Sequence, residues 1–140
     1  VFASEEEAFA AAEEVYRAYN DALNARFRDE TYPDPQTFLT GLALEGDIDG
    51  QNQLRDWGLQ SAGQTAISSF KGIDFHADHA EAVLIGYVCI DVSRFRVLNA
   101  AGEDVTPPER GDVVAQSVTF VGTPRTLLIS NEESAEESQC

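Results

Sequence analysis

The stretch Glu81–Ser93, EAVLIGYVCIDVS, decides how the chain is read. In extended backbone, successive side chains leave opposite faces. Val83, Ile85, Tyr87, Cys89 and Asp91 therefore share one face, and Leu84, Gly86, Val88, Ile90 and Val92 share the other. Both faces are apolar along most of the length, so this segment is expected as a central strand, with helices on one side and a cavity or partner on the other. The run continues through RFRVLN to Asn99 and reads as one extended segment. Upstream, Thr65–Ala77 (TAISSFKGIDFHA) is a second β-branched and aromatic run, connected through Asp78–Glu81. Downstream, Asn99–Asp112 contains Pro107–Pro108, which cannot continue a hydrogen-bonded ladder, and reads as a surface loop. Val113–Ser130 then gives two strands around the turn Val121–Arg125.

The period is different before residue 64. Over Ser4–Asp29, Phe9, Ala12, Tyr16, Tyr19, Leu23 and Phe27 recur at helical spacing, while Glu13, Glu14, Arg17 and Asp21 face away. Ser4 and Glu7 have capping-box spacing, and Glu5 and Glu6 suit the positive end of a helix dipole. Asp34 followed by Pro35 starts a second, short helix with Phe38, Leu39 and Leu42 on its buried side. Asp47–Gly63 reads as a third helix, with Leu54 and Trp57 inward and Gly63 ending it. Helices first and strands last, with no βαβ rhythm, make an α+β domain and exclude a doubly wound nucleotide fold.

A chain of 140 residues supports one core. It carries 25 acidic and 9 basic residues, a formal charge of -16, divided evenly between its halves. That field opposes nucleic-acid phosphates and anionic lipid surfaces. The longest apolar run, Ala82–Ile90, is too short to span a bilayer. A start at Val1 without a basic, apolar leader is expected of a mature fragment whose targeting segment lies elsewhere.

Little chemistry stands out. His76 and His79 have H-x-x-H spacing near Asp74, Asp78 and Glu81, but a strand sends positions 76 and 79 to opposite sides, so no metal site is expected. Gly46–Gly50 (GDIDG) lacks the alternating oxygen ligands and closing glutamate of a calcium loop. Glycine-rich phosphate loops, zinc-finger spacings and serine elbows are absent, and no cofactor is expected.

Three N-terminal helices followed by a curved antiparallel sheet resemble the nuclear-transport-factor-2-like (SnoaL-like) fold, a cone in which a sheet of about four strands wraps around the first helix. The residues carrying the resemblance are AFAAAEEVYRAYNDALN (Ala8–Asn24), DPQTFLTGLA (Asp34–Ala43), VCIDVSRFRVLNAAGEDV (Val88–Val105), and LLIS (Leu127–Ser130) with Cys140. They are similar to actinobacterial secreted or cell-envelope proteins of unknown function, whose members commonly begin with a lipoprotein leader. The resemblance implies one domain over residues 1–129, with the acidic tail 130–140 tied back by a disulfide between Cys89 and Cys140 in an oxidising, extracytoplasmic compartment. A free terminal thiol would sit awkwardly in a secreted protein, and the bond would close a loop worth roughly 4 kcal/mol on the chain-entropy model.

Three functions follow from the resemblance. One is a non-catalytic domain that binds a protein or small apolar molecule, with Tyr16, Tyr19, Trp57, Tyr87, Phe95 and Phe120 as candidate pocket residues. Another is a small-molecule isomerase or cyclase, for which Asp91 or His76 supplies the catalytic group, although Asp91 has no histidine in phase as a proton-transfer partner. The last is structural association, such as a homodimer, through the open sheet face.

Overall fold

The computed structural model describes residues 1–79 and 81–140. Ala80, inside the connection expected at Asp78–Glu81, lies outside the described residues. The fold opens with helix α1 (Glu5–Phe27), followed by a 3-10 turn (Pro35–Phe38) and helix α2 (Gly41–Asp56). Strands β1 (Gln60–Gly63), β2 (Ala66–Asp78), β3 (Glu81–Asp91), β4 (Phe95–Leu98), β5 (Val113–Gly122) and β6 (Leu127–Ala135) complete it, and a second 3-10 turn covers Glu137–Gln139. Strands β2-β3-β5-β6 form a curved antiparallel sheet in that spatial order, and β1 pairs with β4 in a smaller one.

Helix α1 starts where its capping residues direct. Ser4 Oγ accepts from the Glu7 amide at 3.1 Å, and the Glu7 carboxylate accepts from the Ala3 amide. Of its buried residues, Ala8, Ala12, Tyr16 and Tyr19 lie on the sheet face formed by Leu84, Val88, Val118, Phe120 and Ile129, and Ala22 and Ala25 are buried further along the helix. Each of those large side chains contributes about 1.5–3 kcal/mol through burial, so this face holds most of the fold's stability. Gly72 and Gly86 are paired across β2 and β3, and each lies directly under an aromatic ring. A Cβ on Gly72 would come within 2.4 Å of the Phe9 ring, and one on Gly86 within 2.6 Å of the Phe70 ring. The paired glycines thus give the helix and Phe70 their seat on the sheet.

The helix expectation needs correction. Among the described residues there are two α-helices rather than three, since the segment read as a third helix supplies the second half of α2 and then strand β1. Asp34 does cap the Pro35–Phe38 turn, its side chain accepting from the Gln36 amide, but the extended Leu39 and Thr40 separate that turn from α2, which opens on Gly41 at φ 54°. The helix then runs through Gly46 and Gly50, each of which disfavours it by about 1 kcal/mol. A tertiary contact offsets that cost: Arg26 on α1 grips Asp47 with two hydrogen bonds of 2.9 and 3.0 Å, and Gln36 donates to the same carboxylate. No α2 residue is fully buried. Leu42 is exposed rather than inward, Trp57 is 65% exposed at the helix end, and Gly63 closes β1 instead of a helix.

The long run after Glu81 is also divided. At Asp91 the carboxylate accepts from the Ser93 amide and hydroxyl, and the Phe95 amide bonds to the Val92 carbonyl, making a turn that carries the chain into the second sheet. β2 is fixed to α1 by Asn20 and Asn24, one helical turn apart. Both side-chain amides donate to the Thr65 carbonyl, and Asn24 accepts from the Thr65 amide. These bonds satisfy the buried Asn20 at the start of the strand.

Candidate functional site

The six aromatic candidates do not line one cavity. Tyr16, Tyr19 and Phe120 meet under α1, with ring centroids 5.7 Å apart for the tyrosines and 6.4 Å for Tyr16–Phe120. All three are buried, so the concave side of the sheet is filled by packed rings at this point. Phe95 stacks at 5.1 Å on Phe27 beside the second sheet, Trp57 faces solvent at the end of α2, and Tyr87 is on the opposite face of the main sheet. His76 is exposed on that outer face, while His79 occupies the hairpin turn at φ 57° with its side chain 94% exposed.

Asp91 ends β3 at a surface hollow shared with Gln64, Thr65, Ser93 and Arg94. Its two bonds from Ser93 hold its pKa below the usual carboxylate value, which makes it a poor proton acceptor. The acid beneath α1 is instead Glu132, which the sequence reading assigned to the tail. A bulge in the β5–β6 register at Thr119/Phe120 reverses the inward phase of β6. Leu127 and Ile129 point inward before it, and Glu132, opposite the fully buried Val118, points inward after it. The Tyr16 hydroxyl donates to Glu132 Oε1 at 2.7 Å. Burial raises the Glu132 pKa, and the hydrogen bonds from Tyr16 and Tyr19 partly oppose that rise. Burial and the adjacent Glu132 also push both tyrosines above the ordinary phenol value. A cleft of about 270 Å³ opens there, lined by Tyr19, Leu42, Ala43, Gly46, Asp47 and Glu132. With Asp47 held by Arg26 and Glu132 by tyrosine hydroxyls, these polar groups are already bonded to the fold.

The outer face of the main sheet has a different character. Strand register sets its side chains in transverse rows. His76, Val83, Val121 and Leu128 form one row across all four strands, and Asp74, Ile85, Thr119 and Asn131 form the next. Val83 is 43% exposed, and the bulged Ile73 beside these rows is 52% exposed. Asp78 and Glu81 close the hairpin end with two carboxylates. This half is a partly open surface whose apolar part is Val83, Ile85, Val121, Leu128 and the bulged Ile73, with an acidic rim.

The other half is covered. Lys71, Tyr87, Ser117 and Glu133 form the third row, and Ser69, Cys89, Ala115 and Ala135 the fourth. Over them passes the segment Glu136–Cys140, joined to β3 by the Cys89–Cys140 disulfide. The Tyr87 hydroxyl donates to the Glu136 carbonyl at 2.5 Å, and Lys71 Nζ reaches Gln139 at 3.3 Å. Glu136, Glu137, Ser138 and Gln139 bring no apolar side chain to this contact, and all are exposed. Hydrogen bonds of about 1 kcal/mol each do not offset the roughly 1–2 kcal/mol per residue needed to order the segment, so the covalent bond is what holds it down.

No family model and no curated protein matches the sequence. Among solved structures, the chain is similar to the intermembrane space region of the chloroplast protein ARC6, with a TM-score of 0.57 at 13% identity over 92% of this chain and 97% of that one. At this identity the likeness speaks to the fold, which is shared along nearly the whole length.

Proposed function

We propose that the chain is a non-catalytic protein-interaction domain of an extracytoplasmic compartment, docking its partner on the open half of the outer sheet face. The observation that carries this reading is the four-strand row His76–Val83–Val121–Leu128 on the side of the sheet away from α1, three apolar side chains beside an exposed histidine, with Val83 exposed and Val121 and Leu128 half-buried. The acidic rim of Asp74, Asp78 and Glu81, in a chain of net charge -16, favours a partner segment that is apolar with basic flanks. The disulfide supports an oxidising location, since such bonds persist chiefly outside the cytoplasm. The similar structure, from an intermembrane space region, accords with that setting. The wrapping of the sheet around α1 supports membership of the nuclear-transport-factor-2-like group, and the filled concave side favours binding on the outer face over a ligand in the cone.

The enzyme alternative, resting on Asp91 or His76, draws no support from geometry: Asp91 is bonded to Ser93, and His76 is on the other end of the sheet. The test is a comparison of partner capture by variants. Val83→Lys with Leu128→Lys is expected to abolish capture, while Asp91→Asn leaves it unchanged. The opposite pattern would overturn the assignment of the face.

A further inference from the structure

We infer that the Glu136–Cys140 segment is a redox-latched cover that sets how much of the outer face a partner can reach. The inference rests on the docking reading above and concerns regulation of the same surface. Cys140 is exposed, whereas Cys89 is 1% exposed beneath the segment, so an incoming thiolate meets the Cys140 sulfur first. A dithiol reductant attacks Cys140 Sγ, forming a mixed disulfide and expelling the Cys89 thiolate, which takes up a proton. The reductant's second thiol then displaces Cys140. The reductant departs as its own disulfide, oxidised by two electrons, and both protein cysteines become thiols.

Once cut, the cover has little to retain it. Its ties to the sheet are then the Tyr87–Glu136 and Lys71–Gln139 hydrogen bonds and the 3.6 Å contact between the Tyr87 hydroxyl and Cys140 Sγ, and its acidic side chains add to the negative field already around it. Lifting it exposes Tyr87, Cys89 and Ala115, which share the outer face with Val83, Ile85 and Val121. Tyr87 and Cys89 then continue the outward line of Val83 and Ile85 along β3, while on β5 Thr119 and Ser117 lie between Val121 and Ala115. The core under α1 is untouched, because Leu84, Val88, Val118 and Phe120 belong to the other side of the sheet. The latch therefore changes the accessible face without requiring the domain to unfold.

The test uses the oxidised protein, the same protein treated with dithiothreitol, and the Cys140→Ser variant. Backbone order parameters of residues 136–140 are expected to fall from about 0.85 to below about 0.6 on reduction, with Val83–Asp91 unchanged. Cys89 becomes open to alkylation, and binding of an apolar fluorescent dye rises by about two-fold as the outward line along β3 lengthens. The Cys140→Ser variant should match the reduced state without any reductant. A segment that stays ordered after reduction overturns the latch, whatever the dye does. Release without increased dye binding overturns the claim that the segment governs the face. Global loss of order at Val83–Asp91 shows a structural clip and also overturns it. The docking reading is judged separately by Val83→Lys in the oxidised protein, where the cover is closed in both samples.

Discussion

Replacing Tyr16 by Phe removes one oxygen and leaves the ring in place, isolating the hydroxyl that donates to Glu132 at 2.7 Å. A hydrogen bond to a charged group is worth about 1.5–3 kcal/mol when its loss leaves the partner buried. Glu132 is only half-buried, so water recovers part of that loss, and the expected cost at pH 7 is about 1.5 kcal/mol. Tyr16→Ala also deletes a 3% exposed ring that packs edge-on against Tyr19 and Phe120, and is expected to cost about 3–5 kcal/mol. Urea unfolding with the disulfide intact measures both losses. In a Glu132→Gln background the acceptor is neutral, and the cost of Tyr16→Phe should fall to roughly 1 kcal/mol. A Tyr16→Phe change below about 0.5 kcal/mol, or an equal cost in both backgrounds, would refute the reasoning, because it would mean that solvent serves Glu132 as well as the hydroxyl does.

Glu132 should also leave a pH signature. Its folded pKa is raised, so its favourable contribution is full below the unfolded carboxylate value of about 4.3 and is lost as pH rises through the folded value. Glu132→Gln is therefore expected to be more stable than the parent at pH 7 and to converge with it near pH 4; parallel stability curves would contradict this. Hydrogen exchange should be slow over the interior of β3, Val83–Asp91, and fast over Thr106–Gly111, where the chain lies outside the main sheet; the reverse order would overturn the strand assignment. Replacing both cysteines by Ala should lower stability by clearly less than the roughly 4 kcal/mol of loop-closure entropy expected for a separation of 51 residues, because the freed cover regains motion in the native state. A calorimetric loss of the full amount would indicate a segment that stays docked.

The central strand was legible because its chemistry is local. The run from Ala82 to Val92 marks a long strand, but with both faces apolar it left open which face is buried, and the structure puts Leu84 and Val88 under α1 and leaves Val83 exposed; the Cys89–Cys140 bond, expected from the resemblance and the compartment, is present. The stripe on α1 was readable for the same reason. What escaped depended on distant partners. Gly46 and Gly50 suggested a break, but Arg26, 21 residues away, holds Asp47 and keeps α2 continuous. Trp57 carried an aromatic's expectation of burial, yet no element packs over that end of the helix enough to cover it. Glu132 looked like one more residue of an acidic tail, and only the bulge against Thr119/Phe120 turns it beneath α1. Asp91 was read within one extended run to Asn99, but its bonds to Ser93 end β3 there and make it part of a turn.

The proposed docking surface is the open half of the outer sheet face. A photo-crosslinking residue placed at the half-buried Val121, between Val83 and Leu128 in the outer row, tests it in the protein's own compartment, with the same residue at Trp57 as the control. The account predicts one discrete adduct from position 121, lost when Val83 and Leu128 are changed to Lys, and none from position 57. An adduct from position 57 alone, or one from position 121 that survives the lysine substitutions, would contradict it.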